Sequence, residues 1–215
     1  MKKVVLALAV TVAMFLIPVT QSSPFAQAAA QAPADPNAWT IDTSHSAANV
    51  AVRHLMVSTV RGTLGPVKGT IWYDGKSVSS VRADVTIDVA GIDTANDGRD
   101  THLRSADFFD VPNHPTITFK SKRVTAGSGG AFELIGDLTM RGTTKEVTLN
   151  VEAPAAVITQ PGRNGGPTTY RTGTTATTTV NRFDFGLKWN SLMADSNAVV
   201  SSDVRVTIDL ELTRR

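Results

Sequence analysis

Between Val81 and Val89 every second residue is apolar: Val81, Ala83, Val85, Ile87 and Val89 share one parity, Arg82, Asp84, Thr86 and Asp88 the other. A repeat of two is the mark of a strand with one buried and one wet face. Slipping the register by one residue would expose every valine, so the pairing of this strand is tightly specified. The chain closes on the same pattern, with Val204, Val206, Ile208, Leu210 and Leu212 set against Arg205, Thr207, Asp209 and Glu211. Weaker versions run through Ala48, Val50 and Val52, through Val67, Gly69, Ile71 and Tyr73 to the Asp74-Gly75 turn, and through Ile117 and Phe119. Phe132, Leu134, Leu138 and Met140 mark another strand, with a bulge expected at Gly136. Val147, Leu149 and Val151 follow the Arg141-Gly142 turn, and a Thr-rich strand from Thr174 to Val180 is extended by Asn181 to Gly186. The total is about eight strands. Eight antiparallel strands close into a barrel able to hold one small ligand. A two-sheet sandwich fits the same alternation nearly as well, and the pattern does not choose.

One segment breaks the period: Gly98 to Lys120, GRDTHLRSADFFDVPNHPTITFK. Asn96 or Asp97 can cap a short helix here. Asp100 and Arg104 stand four apart with the acid first, a helical pair worth ~0.3 kcal/mol. Pro112 ends any helix, and Pro115 delays the next strand. Leu103, Phe108 and Phe109 would pack on a barrel end. The charges Arg99, Asp100, His102, Arg104 and Asp107 would pair within that cap, or the arginines would meet an anionic headgroup at the mouth of an apolar cavity. Arg53, Arg141 and Arg182 carry the same two readings. Pro154 to Pro167, with PGRNGGP at its tip, reads as a long hairpin loop.

The first residues belong to an address, not to the fold. Lys2 and Lys3 precede an apolar run from Val4 to Ile17, and Ala26-Gln27-Ala28 offers a small-x-small cleavage site. This is the order of a secretory signal peptide, here residues 1–28. The run is shorter than the roughly 20 residues that span a bilayer, and no cysteine follows it to carry a lipid. No permanent membrane anchor is therefore expected, and the protein should be periplasmic or secreted after cleavage. Residues 29–38 form a flexible Ala/Pro linker, leaving 39–215 as one domain. Removing the leader removes two lysines, so the formal charge of +2 becomes 2 − 2 = 0. A neutral domain lacks the basic stripe that nucleic-acid binding needs. With no cysteine, a secreted domain of this length must rest on its apolar core.

Signals for chemistry are weak. None of His45, His54, His102 and His114 makes a helical i, i+4 pair, and cysteine ligands are absent, so no metal site is expected. No GxSxG elbow occurs, and Ser44 and His45 are adjacent, so their side chains would diverge on a strand. The inward residues are ordinary barrel core unless the middle of the barrel is empty. Side chains as small as Ala48, Val50, Val52, Ala83 and Val85 leave that open.

Several blocks resemble the YceI-like domain family. They are Trp39-x-Ile-Asp-x-x-His45-Ser46, Val52-Arg-His-Leu55 with Val60-x-Gly62, and the Gly98 to Asp110 block with Pro115-x-Ile-x-Phe-x-Ser121. Gly136-Asp-Leu-Thr-x-Arg-Gly142-Thr-Thr-Lys and Asn181-Arg-x-Asp-Phe-Gly186-Leu-x-Trp-Asn190 complete the set, in order from Trp39 to Leu212. The resemblance implies an all-β, eight-stranded antiparallel lipocalin-like barrel with one short helix capping an end. It implies a carrier for an isoprenoid lipid, a quinone or a prenyl phosphate, with no catalytic residues and no cofactor besides that ligand. The chain of the ligand would lie among Val52, Ile71, Val85, Ile87, Phe119, Phe183 and Phe185, with Arg99, His102 and Arg104 at its headgroup. Two departures stand out: Ala48 and Val50 replace bulkier residues, and Leu64 stands where Phe is usual. The rival expectation is a secreted stress-related interaction module whose barrel is filled by its own side chains. A homodimer is left open.

Overall fold

The computed structural model describes residues 35–190 and 199–215. The signal peptide and most of the linker expected from the sequence lie outside them. The strands are β1 (Ala38–Ile41), β2 (Ala47–His54), β3 (Ser58–Thr63), β4 (Val67–Trp72), β5 (Arg82–Asp88), β6 (Thr116–Ala126), β7 (Phe132–Met140), β8 (Thr143–Val151), β9 (Ile158–Gln160), β10 (Thr169–Asn181) and β11 (Val200–Arg214). The helix α1 (Asp97–Arg104) lies between β5 and β6.

These strands make eight staves. β11 pairs with β1 at Leu212 and Thr213 and with β2 from Asp209 to Val200, so β1 and β2 are one stave broken at the Asp42–Ser46 turn. β4 pairs with β1 and β3 with β2, both antiparallel, so β3 and β4 form the next stave, broken at Leu64-Gly65-Pro66. From there β4, β5, β6, β7, β8 and β10 follow as antiparallel neighbours, and β10 returns to β11 through twelve paired residues. The result is a closed eight-stranded antiparallel barrel with one helix, and the sandwich is excluded. β9 is an appendage on β10, formed inside the segment expected to be a bare loop.

The closure is uneven. β8 meets β10 only at Val151↔Ala176 and Asn150↔Thr177. Beyond Asn181 the sequence was expected to continue as strand, but Arg182–Phe185 winds into a 3-10 turn capped by the Asn181 side chain. A polar cleft of about 360 Å³ opens where the strands part, bordered by Lys145, Glu146, Thr179 and Asp184.

Two glycines fix how the staves pack. The bulge expected at Gly136 lies instead on the facing strand, where the β6–β7 register shifts between Ser121 and Arg123. A Cβ at Gly136 would stand 2.4 Å from the Lys120 carbonyl and 2.7 Å from the Phe119 ring. At Gly62 a Cβ would meet the Asp93 carbonyl at 2.3 Å. That close approach lets the loop before α1 bridge onto β3 through Thr63 and Asp93.

The helix is held by its cap and by one buried acid. Asn96 Oδ1 accepts from the Arg99 N–H at 2.9 Å. The expected Asp100–Arg104 pair does not form, because each side chain has a stronger local partner. Asp100, 4% exposed, accepts from the Thr94 backbone N–H and hydroxyl. Burial pushes its pKa up, but the hydrogen bonds from Thr94 outweigh that and hold it below the ordinary carboxylate value. Arg104 instead donates to the carbonyls of Ala90 (2.9 Å) and Ile92 (2.7 Å). The helix ends at Arg104, well before Pro112, where the Ser105 N–H closes on the His102 carbonyl.

Candidate ligand-binding site

The inward parity of every stave faces a common interior. Val50 and Val52, Ile71, Val85 and Ile87, Ile117 and Phe119, Leu134 and Leu138, Leu149, Ala176, and Val204, Val206, Ile208 and Leu210 all line one cavity of about 530 Å³. That volume falls in the range of ~300–1,000 Å³ typical of small-molecule pockets. Val50, Val52, Val85, Leu138, Val206, Ile208 and Leu210 point inward yet are only half-buried, because they face open space and not a packed core. The barrel is not filled by its own side chains.

The cavity is chemically one-sided. At the end holding the β4–β5 and β6–β7 connections its lining is Val81, Phe132, Val151 and Leu212, all buried. At the end holding α1 it is lined by His54, Arg61, Thr94, Arg99, His102, Arg182 and Trp189. Among the described residues the ionisable lining groups are arginines and histidines, and no carboxylate lines the cavity. Lining residues reach solvent here, where Arg61 is exposed and His54, Arg99 and His102 are partly so.

Local structure aims these groups. Arg99 donates through Nε to the Thr94 hydroxyl (2.7 Å) and through Nη2 to the Thr94 carbonyl (2.6 Å). His102 stacks edge-on against Phe108 and Trp189, with centroids 5.1 and 5.0 Å away, and its Nε2 lies 2.8 Å from Asp107 Oδ2. Arg182 is 4% exposed and meets no carboxylate among the described residues. It donates to four carbonyls, those of Leu187 (2.5 Å), Trp189 (2.8 Å), Ser201 (3.0 Å) and Val200 (3.1 Å). Burial alone pulls its pKa down, yet an arginine so hydrogen-bonded stays charged. Arg141, in the β7–β8 turn, ties the carbonyls of Ala106, Phe108 and Gly186 together and is structural. Arg53 points outward and braces the β2–β3 turn.

Of the residues expected to bind ligand, Val52, Ile71, Val85, Ile87, Phe119, Arg99 and His102 line the cavity. Arg104, Phe183 and Phe185 do not. Arg104 is spent on backbone carbonyls beneath the helix. The 3-10 turn at 182–185 breaks the alternation, so Phe183 lies 40% exposed under the Arg182 guanidinium, 4.4 Å from its ring centroid, and Phe185 is buried beside the cavity. His54, Arg61 and Trp189 were missed as lining residues. Extending the parity of Val50 and Val52 by two finds His54, and extending Val180 by two finds Arg182 as lining.

A second polar cluster lies away from the cavity. Asp42, His45 and Glu211 bring their ligand atoms within 4.8 Å of one another, a spacing a metal ion could use. Arg171 occupies that place: its Nη1 lies 3.2 Å from Asp42 and also hydrogen-bonds Glu211, so both carboxylates already share one guanidinium. The cluster clasps the β1–β2 turn to β10 and β11.

An empty, apolar, closed eight-stranded barrel with a cationic rim is the architecture of a small-ligand binding protein. Residues 39–212 match the YceI-like domain, and the chain belongs to that family. A UPF0312 protein of Staphylococcus aureus (strain bovine RF122 / ET3-1) is 32% identical over 175 residues, covering 81% of this chain and 96% of the relative. Among solved structures, the Campylobacter jejuni YCEI protein is 27% identical with a TM-score of 0.60, over 76% of this chain and 90% of that one. Burkholderia cenocepacia BcnA is 20% identical with a TM-score of 0.62, over 80% and 98%. A polyisoprenoid binding domain from Saccharophagus degradans is 16% identical with a TM-score of 0.57, over 82% and 98%. The last two share the fold.

Proposed function

We propose that the protein is an exported, non-catalytic carrier that holds an isoprenoid lipid, a quinone or a prenyl phosphate, with its chain in the barrel and its headgroup at the α1 end. The observation that carries this reading is the division of the cavity into an apolar body and a rim whose charged groups are all cations. Each methylene buried in the body contributes ~0.8 kcal/mol, so a few isoprene units offset association costs of ~4–15 kcal/mol. At the rim Arg99 and Arg182 favour an electron-rich headgroup and repel a cationic one. Membership in the YceI-like family, and a structural neighbour described as polyisoprenoid-binding, support the same ligand class. The apolar run at Val4–Ile17 supports export. Among the described residues no helix is long and apolar enough to cross a membrane.

The rival reading, a filled barrel that serves only as a protein-interaction module, is disfavoured by the cavity. Native mass spectrometry of protein expressed with its own leader separates the two. A stoichiometric bound mass that dissociates as a prenyl lipid is expected. A bare polypeptide mass, unchanged after incubation with quinones and prenyl phosphates, would favour the interaction module.

A further inference from the structure

We propose that the turn joining β2 to β3 docks the cavity mouth onto an anionic lipid bilayer. The turn presents Leu55, Met56 and Val57 to solvent, at 36, 56 and 78% exposure. Three adjacent exposed apolar side chains at a tip are unfavourable in water and call for a partner. The backbone is also held in a costly shape. Leu55 and Met56 have φ of 49° and 58°, the signature of a type I′ turn, which ordinarily takes Asn-Gly or another pair tolerant of positive φ. Strain that persists in an exposed turn points to a role outside stability. Arg53 maintains it, donating to the Met56 carbonyl and, at 3.1 Å, to the Thr59 hydroxyl. The Leu55 N–H anchors the tip to the Val199 carbonyl at 2.8 Å.

Charge and position select the occupant. The hairpin from Ala47 to Thr63 carries Arg53, His54 and Arg61 and no acidic residue, which suits a surface of anionic headgroups. Three side chains are too small a patch for a standard protein interface of ~800 Å² per partner, but they suit shallow insertion beside basic residues. The tip is continuous with the mouth, since His54 and Val60 line the cavity. Docking therefore turns the opening toward the bilayer. That a lipid then passes into the barrel rests on the proposed function; the docking itself does not.

The test is co-sedimentation of the protein, its leader removal verified by mass and its cavity extracted with solvent, with vesicles of phosphatidylcholine alone or mixed with phosphatidylglycerol. Binding is expected to the mixed vesicles and to weaken as added salt shortens the screening length. The double variant Met56→Asp/Val57→Asp should lose about tenfold or more in partitioning. Ile158→Asp, on the exposed β9 at the opposite end, should bind like the parent. Equal partitioning of the tip variant and the parent, or no binding of the parent to either vesicle, would overturn the proposal. So would a concentration-dependent dimer that the tip variant abolishes, which would assign the turn to a second copy. If the tip variant does not fold, Met56→Cys carries a single environment-sensitive fluorophore, because the chain has no cysteine of its own. No spectral shift with mixed vesicles would then refute insertion.

Discussion

Filling the barrel should make the protein more stable and less able to hold a ligand, a combination no packed core would show. Val85 on β5 and Val206 on β11 point inward, line the cavity and remain half-buried. Replacing either with Phe adds about four carbons to open space, worth at most ~3 kcal/mol at ~0.8 kcal/mol per methylene. Fixing the larger side chain costs ~0.5–1 kcal/mol, and a compact denatured chain already buries part of that area. A net gain of about 1 kcal/mol per site remains. In a filled interior the same change would overpack and destabilise by ~1–3 kcal/mol, so the sign decides. Urea denaturation of solvent-extracted protein gives the free energy, and each kcal/mol should shift the melting temperature by roughly 2–4 °C at this size. Bound lipid per protein in the unextracted double variant should fall about tenfold. Destabilisation together with undiminished lipid would refute both the empty barrel and the location of the chain within it.

Gly136→Ala should destabilise by about 1–3 kcal/mol, since its Cβ meets the Lys120 carbonyl and the Phe119 ring closer than carbon atoms approach; chemical denaturation checks it. Arg182→Met should cost about 2–4 kcal/mol by stranding carbonyls of residues 187, 189, 200 and 201, with Arg182→Lys recovering only part. A loss below about 1 kcal/mol would show that water replaces the guanidinium without penalty. Asp42 is held at about 2, foremost by the hydrogen bond to His45, with Ser44 and Arg171 adding to it against burial. A carboxylate depressed in the fold stabilises fully above its unfolded value near 4 and loses that contribution as pH falls toward about 2. Acid unfolding followed by circular dichroism should therefore show a shallower loss between those values in Asp42→Asn than in the parent.

The barrel was legible in the sequence wherever one face is apolar and the other charged, as on β5 and β11, because a strand has only two faces. What alternation could not show is where a stave breaks. Leu64-Gly65-Pro66 splits β3 from β4, and the Arg182–Phe185 turn reverses the facing of two phenylalanines. Both rest on local breakers, Gly65-Pro66 and the Asn181 and Gly186 caps, that the alternation of apolar residues does not register. The charged helix was visible, but its pairings were not. Asp100 and Arg104 have the spacing of a helical ion pair, yet Thr94 and the carbonyls of Ala90 and Ile92 offer hydrogen bonds in a partly buried setting, where they outweigh a pair worth a few tenths of a kcal/mol.

The placement of the large side chains explains why the middle of the barrel is empty. Eight staves enclose a space that side chains can just fill. Here most of the large aromatics sit toward the ends: Trp39 is fully buried with its indole N–H on the Tyr73 carbonyl, and Phe132 lies at the same end, while Phe108, Phe109 and Phe185 crowd the other and Phe119, opposite Val85, lines the middle. The staves between them carry Val50, Val52, Ala83, Val85, Ala176 and Val206 inward. Aromatic burial at the ends supplies much of the core, which leaves the middle mostly to smaller side chains. At the α1 end this arrangement also carries arginines whose bonds run to carbonyls and not to carboxylates. Arg99, Arg104, Arg141 and Arg182 lace together residues 90–94, 106–108, 186–189 and 200–201 through backbone carbonyls. Among the arginines that line the mouth, Arg99 and Arg182 end their bonds on carbonyls and a hydroxyl, so under the proposed function groups that close the barrel also select the headgroup.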